Sequence, residues 1–135
     1  MCFSFIISVT VFAEPSEKPQ NSGGSIDAFW QKFKAAVAMK DKEAIANLSK
    51  FPIEISYGAA SIENKSQLLS RYHEVFDEQT NAARCFDNAQ PEIEEEDPRR
   101  FTIACPDAAG NDVVIYHFEK IKNGWRFGAL DNINE

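Results

Sequence analysis

Concentrated positive charge is missing from this chain: 14 Lys and Arg are scattered against 21 Asp and Glu, leaving a net charge of −7. A nucleic-acid partner therefore has no electrostatic footprint to follow, and the same sign opposes docking on anionic lipid. No apolar run approaches the roughly 20 residues that a bilayer-spanning helix needs. With 3 cysteines and no Cys-x-x-Cys pair, a catalytic or metal-binding thiol is a poor reading. Ser22-Gly23-Gly24 lacks the Lys-Ser that would make a phosphate-cradling loop. Glu92, Glu94, Glu95, Glu96 and Asp97 offer hard oxygen donors, but without the Asp-x-Asp-x-Asp-Gly spacing that wraps calcium. A solvated loop is the better account, and neither a metal nor a cofactor is expected. Internal repeats are absent too, and 135 residues make one folded domain.

What is present is a globular composition, 44% apolar and 26% charged. Residues 2–13 carry no charge and end Val11-Phe12-Ala13 before Glu14-Pro15, which reads as a secretory leader cleaved near Ala13. No Lys or Arg precedes this stretch, so the leader (residues 1–13) is truncated at its start or relies on the amino terminus for its positive charge. The alternative is a buried N-terminal strand. Residues 14–25 hold Pro, Gly and Ser without apolar periodicity and read as a flexible linker, leaving residues 26–135 as the domain. Export places the protein in the periplasm or outside the cell. Removing the leader also removes Cys2 and leaves Cys85 and Cys105, an even number in an oxidising compartment. These are expected to form a disulfide; the alternative is two small buried hydrophobes that never meet.

Ser25 is a helix cap, and Ile26, Phe29, Trp30, Phe33, Ala36 and Val37 then share one helical face. Asp41 caps a second short helix running to about Leu48. Residues 51–57 alternate as a half-buried strand, with Pro52 at its start or on an edge. Asn64 and Gln67 form a capping box for a third helix whose buried face is Leu68, Leu69, Tyr72, Val75 and Phe76. A further helical stretch covers residues 81–86, and residues 91–100 form an acidic loop or frayed strand pair. Three strands follow at 101–105, 113–122 and 125–133, the last two joined at Asn123-Gly124, a hairpin signal.

Phe29-Trp30-x-x-Phe33, Lys40-Asp41, Leu48 before Phe51-Pro52, and Asn123-Gly124-Trp125-Arg126-Phe127 resemble the nuclear transport factor 2-like, or cystatin-like, superfamily, in particular its exported bacterial members. The resemblance covers about residue 25 to the C-terminus. It implies an α+β fold in which N-terminal helices pack in a curved antiparallel sheet, a cone whose wide end opens any pocket.

Such a cone would be lined by Tyr57, Tyr72, Tyr116 and Trp30. Enzymes of this superfamily work with ionisable groups facing inward, and His73, His117 and Asp131 are the weak acid–base candidates. Strand alternation sets His117 with Val113, Ile115 and Glu119, opposite Val114, Tyr116 and Phe118. It also sets Asp131 with Trp125, Phe127, Ala129 and Ile133, a conflict of faces that weighs against a His117–Asp131 dyad; the alternative is a polar pair on the solvent face of the sheet. No catalytic motif of the superfamily maps onto these positions, and no catalytic residue is assigned. The favoured reading is a non-catalytic module of the cell envelope that binds an apolar small molecule or another envelope protein. The alternative is a small isomerase, dehydratase or hydrolase acting in the cone, and a third reading is a homodimer through the sheet. Protein recovered from the periplasm is expected to begin at Glu14 and to carry the mass deficit of one disulfide. An intact mass retaining Met1 would remove the leader.

Overall fold

The computed structural model describes residues 25–57 and 59–133. The leader, nearly all of the linker and Cys2 lie outside the described residues. Helix α1, Ile26–Ala38, starts where the sequence places it: the Ser25 hydroxyl accepts from the Ala28 N–H at 3.0 Å, and Asp27 sits in the first turn. It ends at Lys40, whose φ of 52° turns the chain through the left-handed region and lets the Asp41 N–H reach the Ala36 carbonyl at 2.8 Å. Asp41 then caps α2, Lys42–Asn47, by accepting from the Ala44 N–H. The chain passes directly into strand β1, Ser49–Ile55.

Asn64 caps α3, Lys65–Ser70, as its side chain accepts from the Gln67 N–H. Gln67 reaches back one residue beyond the cap, to the Glu63 N–H at 2.8 Å. The expected single helix through Phe76 is instead α3 followed by a π-helical turn, Glu74–Glu78. The wider turn lets Tyr72, Val75 and Phe76 all point into the core. Arg71 ties this segment down through a bidentate pair with Glu74 and a hydrogen bond to the Ala60 carbonyl. Helix α4, Ala82–Asn88, is capped by Asn81.

The remaining elements are β2 (Glu92–Ile93), β3 (Arg100–Pro106), β4 (Asp112–Ile121) and β5 (Gly124–Asn132), in a single curved sheet ordered β1-β5-β4-β3-β2. The pairs β2–β3, β3–β4 and β4–β5 are antiparallel. The first strand runs parallel to the last, so the sheet is mixed rather than wholly antiparallel. β1 is longer at its start than expected, and its other edge is bridged by Ile62 through reciprocal bonds with Ile53.

The core lies between α1 and the helix-facing side of the sheet. The Phe33 ring, fully buried, meets Phe118 edge-on at 5.0 Å and Phe127 at 5.5 Å. Phe101 stacks flat on Phe118 at 4.6 Å, and Trp30 meets Phe86 edge-on at 4.8 Å. Such pairs add about 0.5–1.5 kcal/mol each beyond the area they bury. Helix α4 is fastened to β3 by a disulfide between Cys85 and Cys105. Closing a loop of that length stabilises by about 3 kcal/mol in the chain-entropy account. Replacing both cysteines by serine should therefore lower the unfolding free energy by about 3 kcal/mol, read as an earlier urea transition in tryptophan fluorescence. An unchanged transition would show that the bridge constrains nothing.

Candidate functional site

Rings close the space between α1 and the sheet. Trp30, Tyr72 and Tyr116 are 1%, 4% and 0% exposed, and each packs against phenylalanine. This packing fills the space between the three side chains. The Tyr116 hydroxyl donates to the Val75 carbonyl at 2.6 Å, and burial pushes its phenol far above the ordinary range. Tyr72 lies near the Val37 carbonyl, with the Lys42 ammonium 5.4 Å above its ring. Burial, then the charge of Asp77, raises the Tyr72 phenol to about 12. Neither phenol is poised to exchange a proton near neutrality. Tyr57 is half-buried just beyond β1 and packs on the edge of the core. His73 is exposed, with Nδ1 3.5 Å from a carboxylate oxygen of Asp77.

The opposite face of the sheet holds His117 and Asp131 together. Alternation along β4 is as expected, with Val114, Tyr116 and Phe118 inward and His117 outward. In β5 it breaks. His117 pairs with Ala129 and Phe118 with Phe127, so Gly128 is an extra residue, a β-bulge. Trp125 and Phe127 point inward before the bulge, Leu130 and Asn132 after it. The expectation that Asp131 shares a face with Trp125 and Phe127 is thereby overturned; Asp131 joins His117 outside. A second irregularity faces the bulge, since β1 shifts register between Ser49 and Glu54.

Between these two irregularities lies a groove of about 390 Å³. Gly128 and Ala129 form its floor, β1 contributes Lys50, Pro52, Glu54 and Ser56, and Glu94 and Arg100 close the far side. The Lys50 ammonium is 2.6 Å from Glu119, and Arg100 approaches the same carboxylate at 3.8 Å. Asp131 takes the Ser56 hydroxyl rather than His117. No catalytic His117–Asp131 dyad is formed, and the His117 ring has no hydrogen-bond partner among the described residues. Burial lowers the His117 pKa; Asp131 and Glu94 pull it up, and Arg100 adds to the lowering. A second, more open concavity lies beside the disulfide, lined by Gln79, Asn81, Arg84 and Ala104. Among the described residues no group of three His, Cys, Asp or Glu side chains is placed to hold a metal ion.

Sequence reasoning singled out His117 and Asp131 but missed Lys50, Glu54, Ser56, Glu94, Arg100 and Glu119 as their neighbours. One signal was available: a glycine inside a strand pattern marks a bulge or a close backbone approach, and Gly128 is that glycine.

Helices in the hollow of a curved sheet, with the first strand beside the last, give the architecture that the sequence resemblance implies. The fold is α+β, a curved mixed sheet around its helices, consistent with a nuclear transport factor 2-like cone. No described protein family matches the chain by sequence, and no curated protein does. Among solved structures, the chain is similar to a nuclear transport factor 2-like protein of unknown function from Shewanella oneidensis: 10% identity, TM-score 0.44, covering 78% of this chain and 93% of that one. A domain of unknown function with a cystatin-like fold from Nostoc punctiforme matches at 13% identity and TM-score 0.43, covering 76% and 70%. A type 2 hexachlorocyclohexane dehydrochlorinase matches at 10% identity and TM-score 0.45, covering 78% and 79%. Among the described residues no helix is long and apolar enough to cross a membrane.

His117 gives the site a measurable signature. Its folded-state pKa lies below the unfolded value of 6.5, so below that value the unfolded chain binds the proton more readily. The stability due to keeping His117 neutral is thus present at higher pH and is lost as pH falls through 6.5 and then through the lowered value. Urea unfolding measured from pH 7.5 to 5 should show a smaller acid-side loss of stability for His117→Gln than for the parent. Equal losses in the two proteins would mean that His117 titrates as an ordinary surface histidine.

Proposed function

We propose that this domain is a non-catalytic interaction module of the cell envelope, and that its partner docks on the outer face of the sheet rather than inside the cone. One observation carries the reading: aromatic packing occupies the side where a nuclear transport factor 2-like cone would hold a small molecule, while the groove opens on the other side. Export is supported by the leader-like N-terminus and is compatible with the Cys85–Cys105 bridge. An isomerase, dehydratase or hydrolase in the cone would need an ionisable group turned inward. Tyr72 and Tyr116 turn inward, but burial keeps both protonated; the Tyr57 hydroxyl oxygen is buried as well.

The test is native mass spectrometry of the protein and of Ala129→Trp, each expressed with its leader and released from the periplasm. Ala129 sits on the groove floor and faces outward, so the indole fills the groove without entering the core. A bound protein in the parent that disappears in the variant is expected; if its mass is that of a second copy, the partner is the chain itself. A small molecule retained equally by both proteins would move binding back inside the cone and defeat the reading.

A further inference from the structure

We propose that the groove receives a cationic side chain, the guanidinium of arginine or the ammonium of lysine, presented by an exposed segment of the partner and seated over Ala129 between Glu54 and Asp131. This rests on the reading of the outer face as the docking surface and adds the chemistry of what docks there. Four carboxylates line the groove against two cations, and both cations are already directed at one of the four. Lys50 and Arg100 converge on Glu119, and Arg100 also lies 3.5 Å from Asp97. Glu54 and Glu94 have no cation within ion-pair distance among the described residues. Asp131 is met by the neutral hydroxyl of Ser56, and a neutral imidazole at His117 leaves that negative charge uncompensated.

The register puts these groups around one point. Glu54, Ala129 and His117 lie in a row across β1, β5 and β4. Asp131 projects on the same face two residues along β5. A head group above the Ala129 methyl therefore has a carboxylate on each of two neighbouring strands, about 4.8 Å apart in the sheet. The floor is low because Gly128 has no side chain, and Pro52 supplies an apolar wall for the aliphatic stem of a lysine or arginine. A carboxylate or phosphate would have to draw Lys50 or Arg100 away from Glu119 and then lie among three unpaired acids. The chain's net charge of −7 steers a basic partner in the same direction.

The experiment is an amide chemical-shift titration of the folded, disulfide-bonded domain with three blocked tripeptides, acetyl-Gly-X-Gly-amide, where X is arginine, glutamine or glutamate. The arginine peptide should saturably move the amides of Glu54, His117, Gly128, Ala129 and Asp131 and bind most tightly of the three. Losing two exposed charge pairs in E54Q/D131N should weaken it about fivefold, and added salt should weaken it further. Lys50→Gln is expected to act in the opposite direction, tightening the arginine peptide by removing one of the groove's two cations and leaving Glu119 to Arg100 alone, a change that poor folding cannot mimic. If the glutamine or glutamate peptide moves the same amides equally well, the groove is the docking site and its cationic specificity is refuted. If no peptide moves them while Ala129→Trp still strips the partner, the docking reading stands and the single-cation proposal falls. Shifts confined to residues 92–97 would overturn it as well.

Discussion

Where α1 crosses the sheet, the Phe33 ring has to sit against Phe118 and Phe127, and that meeting governs the rest of the molecule. It sets the distance between helix and sheet and makes α1 the filler of the sheet's hollow. Phe76, Phe86 and Tyr116 complete the packing from the helical side and from β4. Interiors packed at this density tolerate no void without a cost in stability. The space between helix and sheet is used as core, and the polar groove is displaced to the reverse of the sheet.

That displacement works because one residue breaks a rule. A strand of nine residues in strict alternation would carry Asp131 on the same side as Phe127. The bulge at Gly128 inserts one residue without a partner, reverses the alternation, and brings Asp131 out beside His117. Glu119 lies over the bulge: a Cβ at Gly128 would stand in ordinary contact with its carboxylate oxygen, at 3.4 Å. The same carboxylate receives Lys50 from β1 and Arg100 from β3, so the charge network spans the sheet above the bulge.

How much of this could be read from the chain depends on the range over which each signal acts. Caps are local, and Ser25, Asp41 and Asn64 each accept from the backbone N–H three residues on, inside the helix they were expected to start. The inward set of β4 was equally legible, because nothing interrupts Val114, Tyr116 and Phe118. In β5 the alternation was right up to Phe127 and inverted after it, since periodicity carries no information about an unpaired residue. The grouping of Lys50, Glu54 and Ser56 with His117 depends on a register between strands far apart in sequence, and no local pattern encodes that. Tyr72 and Tyr116 were correctly seen as inward phenols, but their spacing could not tell a filled interior from an open one. The π-helical turn at Glu74–Glu78 was missed because its apolar spacing also satisfies an α-helix.

The parallel pairing of β1 with β5 has a consequence for how the chain assembles. Ser56 and Asp131, which meet across that pairing, are 75 residues apart. A strand made early must wait, with one edge unsatisfied, until the last strand has been delivered. Long-range closure of this kind slows folding and prolongs exposure of a pairing-competent edge. In the meantime Ile62 can bond the opposite edge of β1 through Ile53, a contact only a short loop away. The sheet is sealed by β5, so loss of Phe127, Ala129 and Leu130 would leave β1 without its partner.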